Sequence, residues 1–170
     1  MKKIIYNEHN LEDSEINNIV KRAKIILINK NDEILLANSK NNYYLVGGHV
    51  DNNETDIETL KRETLEETGI DLNIKKLNPF FTIIYKTKDY PEKNINSEHI
   101  ANYYYLKLDE KINYNKIHLT EEEIKGNFKV EYIHINNILK VLNDSLSIAT
   151  RPGVVRDTII VIEEFIKIYK

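Results

Sequence analysis

The sequence predicts an α+β fold, arranged as an α/β/α sandwich around a mixed β-sheet. Segments with strand character outnumber helical segments over the first two thirds of the chain. One of these segments, residues 23–29, is continuously apolar, which is typical of a strand covered on both faces. Helices are predicted at 136–143 and 154–169, so helices are available to cover both faces of the sheet.

The remaining elements are assigned from turn residues and apolar patterns. Asn31 and Asp32 predict a turn between the strand at 23–29 and a partner strand at 33–37. Residues 11–20 are expected to form a short helix. Further strands are expected at 1–6, 43–46, 71–77, 80–86, 100–108 and 129–134, and the polar segment 88–98 is expected to be an exposed loop.

Composition indicates one globular domain over residues 1–170, with residues 1–20 as an N-terminal extension packed on it. The chain has no cysteine, which excludes disulfides, zinc–thiolate sites and a thiol nucleophile. A net charge of −3 gives no general basic field for nucleic acid or membrane surfaces. No signal-peptide pattern opens the sequence, and no segment has the ~20 apolar residues of a membrane span, so we expect a cytoplasmic protein.

A helix with clear boundaries is predicted shortly after a diglycine turn. Thr55 and Glu58 have the spacing of a capping box, in which each side chain satisfies a backbone amide at the helix start. Gly69 is expected to end the helix, because glycine readily takes the left-handed conformation found after a helix C-terminus. Ile57 and Leu60 mark a face that can pack on a sheet.

Another face of this helix carries three glutamates, Glu63, Glu66 and Glu67, which helical spacing brings together. Like charges at this spacing destabilise a helix unless a cation offsets them. Carboxylate oxygens are preferred ligands of hard divalent cations that also bind phosphate groups, so the run indicates a metal site. Arg62 can hold Glu66 at i,i+4 spacing, and Glu54 can approach the same site from the N-terminal end of the helix.

Residues 48–70 contain a fixed pattern whose seven positions are occupied by Gly48, Glu54, Arg62, Glu63, Glu66, Glu67 and Gly69. This pattern, G-x5-E-x7-R-E-U-x-E-E-x-G-U with U aliphatic, resembles the signature of the Nudix hydrolases, the MutT-like proteins. The agreement in register separates this helix from an ordinary solvated glutamate run, which is our interpretation of residues 121–123. Thr64 departs from the pattern at an aliphatic position and is expected to affect packing rather than the ligand set.

The resemblance implies a Nudix-type sandwich and hydrolysis of a pyrophosphate bond in a nucleoside diphosphate linked to another moiety. The substrate would be of nucleotide or dinucleoside polyphosphate type, and the cofactor Mg²⁺ or Mn²⁺. Glu63, Glu66 and Glu67 are expected to bind the metal and act in catalysis, together with the orienting side chain of Arg62. The carbonyl of Gly48 is expected to be a further ligand by resemblance.

Other candidates lie outside the helix. The general base is expected to be one of the three glutamates or a distal residue, for which Glu98 and the run 121–123 are candidates that also fit a plain surface position. Three histidines show no metal-ligand spacing and are interpreted as structural: His99, His118 and His134. His49 follows the diglycine turn, where it could contact a phosphate, but it is interpreted as an exposed loop residue.

Two residues outside the motif are candidates for substrate binding. Relatives acting on ADP-ribose often carry a proline about fifteen residues past the motif, whereas this chain has Tyr85 in that region. A tyrosine there occurs in relatives acting on dinucleoside polyphosphates, although Tyr85 also fits a plain strand position. Arg151 precedes the last helix, whose first backbone amides favour an anion, although a surface position also fits.

Alternative functions remain open on the sequence alone. The same fold could serve as a non-catalytic module that senses a nucleotide, but a sensor does not need three converging carboxylates. An isomerase has no distinct residue set here, and no appended RNA-binding segment supports a decapping activity. We expect a small-molecule nucleotide as the partner, with no membrane or nucleic-acid partner, and a homodimer is left open.

Overall fold

The computed structural model describes residues 2–169 and shows one mixed β-sheet with helices on both faces. Its strands are β1 (Lys2–Tyr6), β2 (Asn18–Ile28), β3 (Glu33–Ser39), β4 (Asn42–His49), β5 (Phe81–Thr87), β6 (Ser97–Lys107) and β7 (Lys129–His134). The α-helices of the described residues are α1 (Asp56–Thr68), α2 (Glu121–Lys125), α3 (Ile135–Leu146) and α4 (Pro152–Tyr169).

The strand order across the sheet is β1-β5-β6-β2-β4-β3-β7. β1 runs parallel to β5 and β2 runs parallel to β6, while the other neighbouring strands pair antiparallel. β2 and β6 are the longest strands and pair along their whole length, from Asn18 opposite Ser97 to Ile28 opposite Lys107. Side chains on these central strands are therefore held in fixed positions, which matters for the site described below.

Two separate apolar cores lie on the two faces of the sheet. On one face α1 contributes the fully buried Leu60, which belongs to the same cluster as Ile25 of β2. On the other face α3 and α4 contribute Leu142 and Phe165, both fully buried. Each such side chain stabilises the fold by about 1.5–3 kcal/mol through its removal from water. The predicted α/β/α sandwich around a mixed sheet is confirmed.

The helix predicted at residues 11–20 is wrong. Only Asp13–Glu15 forms a short 3₁₀ turn, and β2 already begins at Asn18. The Asn18 side chain donates to the Ser97 hydroxyl (2.8 Å) and its backbone amide donates to the Asn96 carbonyl (3.2 Å). Pairing with β6 therefore extends β2 towards its N-terminus and overrides the local helical pattern.

The strand predicted at 71–77 is also wrong, because this segment is irregular. Its alternating apolar residues have another cause: Leu72 is 2% exposed and, with the partly buried Ile74, packs into the core cluster that contains Leu60 of α1. The segment also could not pair with the following strand, because β5 already has β1 and β6 as its two neighbours.

The other predicted strands and both long helices are confirmed, with bounds that shift by up to three residues at most ends. β2 is the exception, since it starts five residues earlier than predicted, at Asn18. Met1, included in the predicted first strand, lies outside the described residues. None of the helices among residues 2–169 is long and apolar enough to cross a membrane.

Candidate active site

A cleft of about 720 Å³ opens where α1, β4, β2 and the start of α4 meet. Its lining carries charges of both signs. We call its carboxylates on two helices the acidic side: Glu63, Glu66 and Glu67 on α1 with Glu122 and Glu123 on α2. We call four of its cations the basic side: Arg22, Lys24, Lys40 and Arg151. The lining also includes a group that we call the floor: Tyr85, His99, Ala101, Tyr103 and Asp157.

The ends of α1 are fixed as the sequence predicts. At the start, the Thr55 amide donates to the Glu58 carboxylate (2.7 Å) and the Glu58 amide donates back to the Thr55 hydroxyl (3.3 Å), which completes the capping box. At the end, Gly69 takes φ = 70°, and a side chain there would collide with the Asn113 carbonyl. These two ends set the position of the glutamates along the cleft.

The end of α1 is also tied to the segment that leads to α2. The Asn113 amide donates to the Thr68 carbonyl and the His118 amide donates to the Glu66 carbonyl, both at 2.9 Å. These carbonyls belong to the last turn of α1, which has no amide partners within the helix itself. The acidic residues of α2 are thereby brought to the same cleft as those of α1.

The diglycine of β4 lets two carboxylates approach the backbone. A Cβ at Gly48 would collide with the carboxylate of Glu63, so only glycine leaves room for that side chain. Gly47 has φ = 123°, and its amide donates to the carboxylate of Glu67 (3.1 Å). Gly47 and Gly48 lie beyond the paired part of β3 and β4, whose pairing reaches only to Leu36 opposite Leu45.

Arg62 organises the N-terminal part of the acidic side. Its guanidinium donates to both oxygens of Glu54 (2.8 and 2.9 Å) and to Glu63 (2.6 Å). The contact with Glu66 that helical spacing suggests is longer, at 3.5 Å, so Arg62 orients chiefly Glu54 and Glu63. These bonds lower the pKa of Glu54 to about 2 and raise the pKa of Arg62.

Glu67 is the most deeply placed of the three glutamates, with 4% of its surface exposed. Burial raises its pKa to about 8, although the nearby Lys24 ammonium and the Gly47 amide act in the opposite direction. Lys24 donates to the carbonyls of Leu45 and Gly47 (3.1 Å each), and burial lowers its pKa. The buried Glu67 carboxylate and the partly buried Lys24 ammonium thus lie within electrostatic range of each other.

The basic side is assembled from β2, the β3–β4 turn and the segment before α4. Arg22 on β2 donates to Nε2 of His49 (3.0 Å). Asn42, which is 4% exposed, accepts from the Arg151 amide (2.7 Å) and donates to the Thr150 hydroxyl (2.8 Å). These bonds fix the Thr150–Arg151 backbone against the sheet, at the mouth of the cleft.

The model of the NUDIX domain matches residues 19–146, which is more than half of the chain. The chain belongs to the NUDIX family. Among solved structures, it resembles a mutator MutT protein from Bacillus halodurans with 23% identity, 72% coverage of each chain and a TM-score of 0.51. It also resembles a MutT protein from Methanosarcina mazei Go1 with 20% identity, a TM-score of 0.51, and coverage of 89% of this chain and 97% of that one. No curated protein sequence matches.

As a Nudix pyrophosphohydrolase, the chain belongs to enzymes that act on nucleoside diphosphate derivatives and generally use divalent metal ions. Among the described residues 2–169, no three acidic or histidine side chains are placed so that they could hold a metal ion together. The three glutamates instead face different partners: Glu63 bonds Arg62, Glu67 bonds the Gly47 amide, and Glu66 is directed more to solvent.

The donor set nevertheless fits a divalent metal ion. The space that a Cβ at Gly48 would occupy is taken up by the Glu63 carboxylate, so the Gly48 backbone and this side chain are already close. Glu67 is a buried carboxylate whose pKa is raised by burial, and a cation bound beside it would lower that pKa. Oxygen donors of this kind are those that magnesium and manganese prefer.

Both substrate-binding candidates from the sequence lie on the cleft, as do Glu122 and Glu123. Tyr85 is on the floor, where its hydroxyl donates to Asp157 (2.5 Å). Glu98 does not line the cleft, and Glu121 pairs with Lys125 on the exposed side of α2.

The histidines have separate places. His49, interpreted as an exposed loop residue, ends β4, is exposed and holds Arg22. His134 caps α3 by accepting from the Asn136 amide (3.2 Å), as expected of a structural residue. His99 lies on the floor, where its Nε2 is buried without a hydrogen-bond partner among residues 2–169.

Sequence reasoning missed several residues of the cleft. Arg22 and Lys24 lie two residues apart on β2, so their side chains share one face of the sheet. Two cations at that spacing, leading into the apolar half of the strand, are the signal in the sequence that points to them. Asp157 carried no such signal, because only the packing of α4 brings it against Tyr85, and burial raises its pKa.

Proposed function

We propose that this Nudix pyrophosphohydrolase uses Mg²⁺, or Mn²⁺ in its place, to cleave a pyrophosphate bond in a nucleoside diphosphate linked to another moiety. The observation that carries the proposal is the presence of the acidic side and the basic side in one cleft. The acidic side suits divalent cations, and the basic side suits the phosphate charge that those cations leave unneutralised.

The metal-binding groups in this proposal are Glu63, Glu66, Glu67 and the carbonyl of Gly48. When bound there, the ion would neutralise phosphate charge, polarise phosphorus and lower the pKa of a bound water. The chain's own groups hold these ligands in place: α1 fixes the spacing of the glutamates, and the bare backbone at Gly48 leaves room for Glu63.

Arg62 has a positioning role in this proposal. Its Nε and Nη2 atoms donate to the two carboxylate oxygens of Glu54, so the guanidinium cannot rotate freely. Its Nη1 atom donates to the Glu63 carboxylate at 2.6 Å. A guanidinium in this place keeps the acidic side ordered and limits repulsion between its carboxylates.

In the reaction, a water oxygen forms a bond to phosphorus while the bridging phosphorus–oxygen bond breaks, and the water proton passes to a carboxylate. Candidates for that general base are the glutamates of α1 and Glu122, which lines the cleft with an exposed side chain. Glu123 is less free, because its carboxylate accepts from the amide and hydroxyl of Thr120 (2.7 and 2.8 Å). Glu98, away from the cleft, is not proposed.

The test replaces Glu66 and Glu67 separately by Gln and measures turnover of a nucleotide panel with Mg²⁺ and with Mn²⁺. We expect each variant to lose activity by about 10²–10⁴-fold while its circular dichroism is unchanged, because the amide keeps the shape but weakens the ligand. Glu163→Gln on the exposed surface of α4 is the matched control and should retain activity. Full activity in both variants would contradict the site assignment.

The same panel defines the substrate, through the phosphate released and the nucleoside product formed. A protein that binds nucleotides tightly but hydrolyses none with either metal would instead be a non-catalytic sensing module, which is the second candidate function. A single domain over 1–170 with residues 1–20 packed on it, a cytoplasmic location and the open question of a homodimer stay predictions.

A further inference from the structure

A polar cluster that does not line the cleft lies at the start of α1. The Asp56 carboxylate accepts from the side-chain amide of Asn102 (2.8 Å) and from the hydroxyl of Tyr104 (2.6 Å). Asp56 is the first residue of α1, and its two partners lie on β6. We call these three residues the β6 anchor. It joins the helix that carries the three glutamates to one of the two longest strands of the sheet.

The β6 anchor is ordered by its own surroundings. Tyr104 is 4% exposed and belongs to the apolar cluster that contains Leu60 of α1. The side-chain oxygen of Asn102 accepts from the Thr82 hydroxyl on β5 (2.9 Å), which leaves the amide nitrogen to donate to Asp56. Hydrogen bonds to a carboxylate are stronger than those between neutral groups, so the anchor ties the start of the helix firmly to the sheet.

The β6 anchor and the contact at Gly48 lie at the two ends of one row across the sheet. Asn102 of β6 is opposite Ala23 of β2, and Ala23 is in turn opposite Gly48 of β4. Two strand spacings, or about 9.5 Å, separate the ends of this row. Along α1, the rise from Asp56 to Glu63 is about 10.5 Å. The helix therefore spans the row, with Asp56 held at one end and the Glu63 carboxylate against Gly48 at the other.

The same strand also supplies part of the cleft floor. Ala101 and Tyr103 line the cleft, whereas the alternate residues Asn102 and Tyr104 hold Asp56 on the other face of the sheet. β6 therefore relates the floor of the cleft to the start of α1. If the helix moved relative to β6, its glutamates would move relative to the floor.

We propose that Asp56, Asn102 and Tyr104 are positioning residues of the hydrolase, which fix α1 on the sheet and thereby place its glutamates against the diglycine of β4. The inference rests on the proposed function and extends it to residues that contact neither substrate nor metal. The bond from the Gly47 amide to Glu67 (3.1 Å) lies further along the same helix and depends on the same placement.

The kinetic test removes the bonds of the anchor in steps. Tyr104→Phe keeps the ring and loses only the hydroxyl, whereas Asp56→Ala loses both bonds. We expect kcat for the best nucleotide of the panel to fall about 10-fold in Asp56→Ala and less in Tyr104→Phe, because a displacement of about 1 Å can cost about 100-fold. The double variant should be no slower than Asp56→Ala, since the hydroxyl then has no partner left to lose.

Tyr132→Phe is the matched control. Tyr132 packs against the same apolar cluster as Tyr104, and its hydroxyl donates to the Glu110 carbonyl (2.9 Å) and not to α1. This variant also loses one hydrogen bond of a tyrosine hydroxyl, so it measures what a loss of stability alone does to turnover. Its kcat should equal that of the wild type. Urea unfolding shows that each variant is folded under the assay conditions.

A spectroscopic test separates positioning from hydrolysis. Because the Gly47 amide donates to the Glu67 carboxylate, its proton shift in a ¹H–¹⁵N correlation spectrum reports the place of that glutamate without metal or substrate. We expect this resonance to move upfield in Asp56→Ala and in Tyr104→Phe, as the hydrogen bond lengthens. In Tyr132→Phe it should stay in place.

Failure of the anchor and failure of the proposed function give different results. A wild type that hydrolyses no nucleotide would reject the proposed function, and the Gly47 resonance would still decide whether the anchor holds Glu67 in place. An unmoved Gly47 resonance in both anchor variants would overturn the positioning role, whatever the activity. In an active enzyme, a moved resonance with unchanged kcat would also overturn it, as would an equal fall of kcat in Tyr132→Phe.

Discussion

The acidic and basic sides of the cleft carry charges of opposite sign and hold them in different ways. On the acidic side, Arg62 offsets Glu54 and Glu63 through short hydrogen bonds within the protein. On the basic side, Arg22 and Arg151 have no carboxylate among residues 2–169 to offset them. We therefore expect the acidic side to be ordered before any ligand binds, and the basic side to be stabilised by an anionic ligand.

The largest expected effect comes from a substitution that displaces the Glu63 carboxylate from its place beside Gly48. In Gly48→Ala the new methyl group would enter the position of the Glu63 carboxylate and displace it. We expect kcat to fall by about 10²-fold or more, because small displacements of reacting groups have effects of that size. Steady-state kinetics with Mg²⁺ measure it.

The matched control is Gly153→Ala near the start of α4, where a methyl group would meet no atom within 4 Å. That variant should keep full activity. If Gly48→Ala also kept it, Glu63 would not need its observed position beside the β4 backbone.

The second effect tests whether the acidic side depends on the planar fork of Arg62. Lysine at this position keeps the charge but cannot bind both oxygens of Glu54 while also reaching Glu63. Arg62→Lys is expected to reduce kcat about 10-fold and to lower the free energy of unfolding by about 1–2 kcal/mol, since charge-assisted bonds are lost from a partly exposed site.

Urea unfolding and kinetics on the same sample measure both effects, and Arg156→Lys is the control because Arg156 is exposed. Unchanged kcat and stability in Arg62→Lys would show that charge alone, without the fork, orders the acidic side.

A third prediction concerns the loss of folding stability at low pH. The pKa of Glu54 is about 2 in the fold and 4.5 without its partners, so its bonds with Arg62 stabilise the folded state fully above about pH 4.5. This contribution is lost as the pH falls from 4.5 towards 2. Glu54→Gln should therefore be less stable than wild type at neutral pH and should lose less stability over that acidic window.

The free energy of unfolding in urea, measured from pH 7 to pH 2.5, checks the acid prediction. Glu8→Gln at an exposed position is the control and should follow the wild-type curve. Parallel curves for Glu54→Gln and wild type would mean that the Arg62 bonds do not persist in solution.

The smallest expected effect is a change in stability at Thr64, which lies on the packing face of α1 and not on its acidic face. Thr64 is fully buried, and its hydroxyl has no hydrogen-bond partner among residues 2–169. Thr64→Val has nearly the same shape without the unsatisfied hydroxyl, so we expect stability to rise by about 1 kcal/mol with unchanged kcat. Thermal unfolding measures the gain, and a loss of stability would show that the hydroxyl has a partner in solution.

The α1 part of the acidic side could be predicted from sequence because its determinants are local. Capping residues, glutamate spacing and the final glycine of α1 all lie within one short segment. The α2 part, Glu122 and Glu123, is interpreted from sequence as a solvated surface, because its place on the cleft depends on the chain path after α1. The basic side could not be predicted in this way, since Arg22 and Arg151 come together only through strand register and the bond to Asn42. The wrong strand at 71–77 has a related cause: alternating burial of Leu72 and Ile74 looks like a strand but comes from packing into the core cluster that contains Leu60 of α1.

The three glutamates line one cleft, as helical spacing suggests, and their role as metal ligands stays a prediction. Helical spacing does not include the competition of Arg62 and the Gly47 amide for two of the carboxylates. These partners come from the adjacent residue and from a separate strand, and their strength depends on burial that a sequence pattern does not contain.

The bonds from Asn113 and His118 to the last turn of α1 have a dynamic consequence. A helix terminus that keeps its final carbonyls engaged does not fray on its own, so the helix and the connecting segment open to solvent together. Amide hydrogens of these two residues should then exchange with deuterium at similar, slow rates. Exchange of the Asn113 and His118 amides would thus report on the last turn of α1 as well as on the segment that leads to α2.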